Sequence, residues 1–130
     1  MKKIILIFFA LVVCTSAQSN DEYYCLISEK KSILLVSSKY PDINFVKYYP
    51  YLKNIKISRP IKEKNVDMGD NAKPEVYRTM NEIINGEITG YYTFMSQGYL
   101  LYDVEYKNLR TKKTTIFNKS NIHIDNISCL

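Results

Sequence analysis

Apolar and polar positions divide the chain into regions of different period. The first is an unbroken apolar run, Ile4 to Val13, behind Lys2 and Lys3 and ahead of Thr15, Ser16 and Ala17. A basic start, a short apolar stretch and a small-residue exit form the layout of a signal peptide. The run is ten residues long, whereas a helix needs about 20 to cross a bilayer, so no transmembrane segment is expected in the mature chain. Cleavage is expected after Ala17, giving residues 1–17 as signal peptide and 18–130 as a single exported globular domain. The competing layout, Leu11-Val12-Val13-Cys14 with Cys14 lipidated, places branched Val13 where lipoprotein signals carry a small residue, and is the weaker of the two.

From Glu22 the pattern is one of short, clustered strand formers. Glu22 to Glu29 and Ser32 to Ser37 flank Lys30 and Lys31, which reads as a hairpin. After the turn signal Lys39-Tyr40-Pro41-Asp42 come extended segments at Ile43 to Tyr49 and Leu52 to Ser58, with Pro50 between them and Pro60 ending the second. Residues 62–73 are polar and carry Gly69, Asp70 and Asn71, which predicts the longest loop.

A helix is expected next. Pro74 and Glu75 suit a first helical turn. Val76, Met80, Ile83 and Ile84 fall at i, i+4, i+7 and i+8 as one apolar stripe, and Asn85-Gly86 supplies a stop. From Glu87 the period changes to two: Ile88, Gly90, Tyr92 and Phe94 share a face, as do Leu100, Tyr102, Val104 and Tyr106, with Ser96-Gln97-Gly98 as a turn. A third strand at Thr111 to Asn118 completes a meander, and Ile122 to Ile127 can add a short last strand. The expected fold class is therefore α+β, an antiparallel sheet of six to eight strands with one amphipathic helix.

Composition adds a compartment and a surface. With Cys14 removed, Cys25 and Cys129 remain, and in an oxidising compartment they are expected to pair and clamp the ends of the domain together. Loss of Lys2 and Lys3 lowers the formal charge from +5 to +3, a mildly basic domain.

Its chemistry is sparse. One histidine, His123, and two paired cysteines leave too few ligands for zinc and no base for a serine or cysteine nucleophile, so neither metal nor cofactor is expected. Asp103 and Glu105 share a strand face but read better as an outer face answering lysines. Asp67 to Asn71 lacks the alternating oxygen ligands of a calcium loop and reads as a turn.

The stretch Lys47 to Lys64 interleaves Lys47, Lys53, Lys56, Arg59, Lys62 and Lys64 with Tyr48, Tyr49 and Tyr51 against one acid, Glu63. Lys107, Arg110, Lys112, Lys113 and Lys119 form a second basic stretch. Basic residues mixed with aromatics suit an anionic partner. The candidate binding residues are Tyr48, Tyr49, Tyr51, Lys53, Lys56 and Arg59. All twelve tyrosines lie after residue 17, which favours recognition of a macromolecule, protein first, then an anionic envelope glycan or lipid. Export sets nucleic acid aside.

In its layout the chain resembles the periplasmic lysozyme inhibitors: a signal, an early Tyr23-Tyr24-Cys25 start, a β-rich body and a cysteine near the end. The likeness is architectural and implies no site residues.

Overall fold

A computed structural model describes residues 21–130. The expected leader, residues 1–17, and the alternative lipidation site at Cys14 lie outside the described residues. Nine strands follow in order: β1 Glu22–Ser28, β2 Ile33–Ser37, β3 Phe45–Tyr49, β4 Ile55–Val66, β5 Glu75–Ile84, β6 Glu87–Gln97, β7 Leu100–Asn108, β8 Thr114–Lys119 and β9 Ser128–Cys129. Each of the first seven pairs antiparallel with the next, and β8 returns to β1, so the sheet closes into an eight-stranded barrel. The two-residue β9 is an addition, parallel to the start of β1.

The α+β expectation is overturned, because no helix occurs among the described residues and the segment read as one, Val76 to Ile84, is β5. Arg78, Met80 and Glu82 alternate toward the interior, opposite Phe94, Tyr92 and Gly90 of β6. Two of those three inward residues are charged, so the true period of two is hidden. The spacing of Val76, Met80, Ile83 and Ile84 imitates a helical stripe instead. Asn85 (φ 52°) and Gly86 (φ 79°) both occupy left-handed conformations, which makes them the two central residues of a type I′ hairpin turn rather than a helix stop.

The expected loop at 62–73 is also corrected. β4 runs on to Val66 through Pro60, which sits between two register shifts. Proline is tolerated in a strand at such bulges. The missing backbone pairing is replaced locally, with the Ser58 hydroxyl accepting the Asn81 N–H at 2.8 Å.

The barrel interior is filled by Tyr24, Leu26, Leu34, Val36, Val46, Ile57, Met80, Tyr92, Phe94, Leu101, Val104 and Phe117. Eight strands give an interior just wide enough for side chains to fill. A second, smaller core lies on the outside. Cys25 and Leu35 point outward from β1 and β2 and are covered by Ile124, with Ile122, Ile127 and Cys129 beside it. Burial on both faces explains why β1 and β2 read as continuous apolar runs rather than alternating ones. The expected disulfide is present: Cys25 and Cys129 are bonded across a sequence separation of 104.

Candidate functional site

Successive antiparallel strands send alternate connections to opposite ends of the barrel. One end, here the hairpin end, gathers the β1–β2, β3–β4, β5–β6 and β7–β8 connections. These bring together segments far apart in sequence. Tyr51 is 84% exposed and Leu52 44% exposed in the β3–β4 connection, while Ile84 (43%) and Ile88 (52%) flank the β5–β6 turn. Lys30, Lys31, Lys53, Arg110, Lys112 and Lys113 are exposed in the same set of connections, against Glu29 and Glu87. This end thus carries exposed apolar and aromatic side chains and six exposed cations on the same set of connections.

Immediately below this end, a carboxylate is buried inside the barrel. Glu82 of β5 is only 4% exposed. Its Oε1 accepts from the Tyr106 hydroxyl at 2.6 Å and the Thr89 hydroxyl at 2.8 Å, and its Oε2 accepts from the Tyr92 hydroxyl at 2.6 Å. Because the Tyr92 proton is committed to Glu82, the Tyr48 hydroxyl, 2.8 Å from that of Tyr92, is the donor of their pair. Four hydroxyls on three strands thus converge on the carboxylate, three directly and Tyr48 through Tyr92, with Tyr92 stacked on Tyr106 at a centroid distance of 4.7 Å. Burial raises the pKa of all three phenols above the ordinary tyrosine value, Tyr48 to about 12, and the hydrogen bonds that Tyr92 and Tyr106 give to Glu82 push them the same way.

Gly90 makes room for this arrangement. It faces Glu82 across the β5–β6 ladder, and a Cβ there would lie 2.5 Å from Cε2 and 2.7 Å from the hydroxyl of Tyr106. Gly90→Ala is accordingly expected to cost about 1–3 kcal/mol by overpacking, read as a lowered urea midpoint. A midpoint at or above that of the native protein would show that Tyr106 is not held where the geometry places it.

Sequence reasoning did not single out Glu82. The signal present was a period-two alternation shared by Glu82 with Met80, and by Tyr92 and Tyr106 on their own strands. The candidate residues that were singled out divide among several places. Tyr48 turns inward to Tyr92. Tyr49, Tyr51 and Lys53 lie at or near the hairpin end. Lys56 is exposed beside Phe45 and Ile83. Arg59 lies further along β4, lining an open hollow of about 770 Å³ with Tyr23, Lys39, Asp42 and Phe45.

The other chemistry considered in the sequence is dispersed. Asp103 and Glu105 sit opposite Met95 and Thr93, the outer positions of β6. Strict alternation with Asp103 and Glu105 would put Leu101 on the same outer face, but a bulge between Met95 and Ser96 turns it into the core. The Asp103 carboxyl is raised above its usual pKa by burial and by the nearby Glu75 charge. His123 is exposed, 3.2 Å from Asp125. The Asp67 carboxylate accepts the Gly69 N–H at 2.9 Å, the bond of a tight turn.

No family model, no curated protein and no solved structure matches this chain.

Proposed function

We propose that this protein is an exported, non-enzymatic binding protein that holds an acidic protein partner against the hairpin end of its barrel, as an inhibitor or immunity protein does. One observation carries the reading: Tyr51, Leu52, Ile84 and Ile88 are all exposed in or beside the connections of one end, which also carry six exposed cations, above an interior already filled by side chains. An exposed apolar and aromatic centre with a charged rim is the make-up of a protein-binding patch. The glutamate beneath it has its hydrogen bonds satisfied within the fold, which suits a scaffold better than a reaction centre. Export rests on the expected leader at 1–17, and the Cys25–Cys129 disulfide fits an oxidising compartment.

The test is affinity capture with the oxidised protein from envelope extract and from culture medium, washed at low and at raised salt. The expected result is a single protein that survives both washes and is lost when Tyr51→Ala and Ile88→Asp are combined. An apolar centre resists salt in a way that surface charge does not. Retention unaffected by the two substitutions would sink the reading.

A second reading, an anionic glycan or lipid surface, draws on the six cations alone. Binding to phosphatidylglycerol vesicles that is released by salt and abolished by Lys53→Glu, Arg110→Glu and Lys112→Glu together would favour it.

A further inference from the structure

β4 is the longest strand, 12 residues, and much of it has a neighbour on one side only. β3 pairs with it through Phe45 and Lys56 and through Val46 and Ile55, and the last link on that side is the Ile57 N–H to the Asn44 carbonyl at 3.0 Å. From Ser58 to Val66, among the described residues, β4 makes its backbone bonds to β5 alone. A row of amide and carbonyl groups is left along its outer edge, and such an edge is a ready template for another strand.

The charge along this edge selects the strand. Arg59, Lys62 and Lys64 are exposed on it, while the opposing charge of Glu63 is already engaged by Arg78 at 3.2 Å. Lys62 and Lys64 lie opposite Thr79 and Tyr77, so they share the outer face. Together with Val66 and Thr93 these four border a shallow hollow of about 320 Å³. Being two residues apart, the lysines are spaced by about 6.6 Å along the strand, which is also the spacing of alternate side chains on any strand laid beside them.

A second copy of β4 is a poor occupant, since antiparallel pairing of this segment with itself about Lys62 or Glu63 sets Lys62 against Lys62 or Lys64, and like charges directly opposite destabilise a ladder. Pro60 and the two bulges discourage the same self-pairing. A strand carrying carboxylates at alternate positions meets neither obstacle along Lys62 to Val66.

We propose that the free edge of β4 along Lys62 to Val66 takes up an extended acidic peptide as an added strand, main-chain bonds supplying the attachment and Lys62 and Lys64 the preference for acid. The site runs away from the hairpin end and is independent of the binding reading given for that end.

The test uses capped peptides of alternating glutamate and threonine, and of alternating lysine and threonine, with amide hydrogen exchange followed residue by residue in the oxidised protein. The acidic peptide is expected to slow exchange within Lys62 to Val66 by about tenfold or more, leaving the hairpin-end amides unchanged. The basic peptide should leave the same segment unprotected. Lys62→Glu with Lys64→Glu, both exposed, should reverse that preference without altering the fold. Unchanged exchange at the highest soluble peptide concentration, or equal protection by both peptides, overturns the proposal. Neither outcome touches Tyr51 or Ile88, so the hairpin-end reading stands or falls separately.

Discussion

Tyr92→Phe is expected to destabilise the barrel by about 2–4 kcal/mol, although it removes a single oxygen atom. That hydroxyl is fully buried and serves two partners at once, donating to Glu82 and accepting from Tyr48. Without it the Tyr48 O–H loses the acceptor it has among the described residues, and the carboxylate keeps two donors of three. An unsatisfied buried polar group costs about 1–3 kcal/mol, and more when charged. Chemical denaturation of the two proteins gives the number directly, and a difference below about 0.5 kcal/mol would mean that the hydroxyl chain does not work as a unit.

The same substitution changes the response to alkali. Burial holds the phenols of Tyr48, Tyr92 and Tyr106 above their ordinary pKa in the folded protein, while in the unfolded chain they titrate near 10. A raised folded-state pKa means that stability is complete below about pH 10 and is lost as the pH climbs from there toward the folded values. Each tyrosine can steepen that fall by up to about one proton. The stability curve of Tyr92→Phe above pH 10 is therefore expected to be shallower than that of the native protein by about one proton. Parallel curves would show that Tyr92 does not take part.

Removing the disulfide by Cys25→Ala with Cys129→Ala is expected to cost about 2–5 kcal/mol. The bond joins positions 104 apart in sequence, and a closed loop of that size restricts the unfolded chain strongly. Its folded-state effect is also specific. β9 has two residues and two pairings with β1, too few to hold the last segment unaided. Once released, that segment uncovers Leu35 and the outward side of β1, which Ile124 now shields. The double variant should show a lower denaturation midpoint and faster amide exchange over residues 120–130, with the barrel strands retained. An unchanged midpoint would contradict the clamp.

The β1–β2 hairpin, the meander from Glu87 and the Cys25–Cys129 pair were legible in the sequence because local pattern and physical cause coincide there. β1 and β2 are apolar on both faces, β6 alternates cleanly, and two cysteines had one way to pair. β5 was not legible for the reason that also makes it interesting: its inward side carries Arg78 and Glu82, and a polar interior erases the alternation by which a strand is recognised. β4 was hidden by its exposure, since a lysine-rich strand end beside solvent has the composition of a loop. The hairpin-end patch was half visible. Tyr51 and Lys53 were marked as one cluster and Arg110, Lys112 and Lys113 as another, but only the alternation of strands places them at the same end. Glu82 needed its partners, and these come from strands joined by hairpins rather than from neighbours in sequence.

The three pairings of β1 have a further consequence for the order of events as the chain is made. β1 finds β2 within a few residues, but its other partners are Phe117 to Lys119 and Ser128 to Cys129, at the far end of the chain. Contacts of such long sequence separation form slowly, because the intervening chain must first be brought together. β1 therefore waits for Phe117 to Lys119 and Ser128 to Cys129, and a chain stopped short of Phe117 can build every hairpin of the meander through β7 yet lacks the β8 residues that seal the barrel.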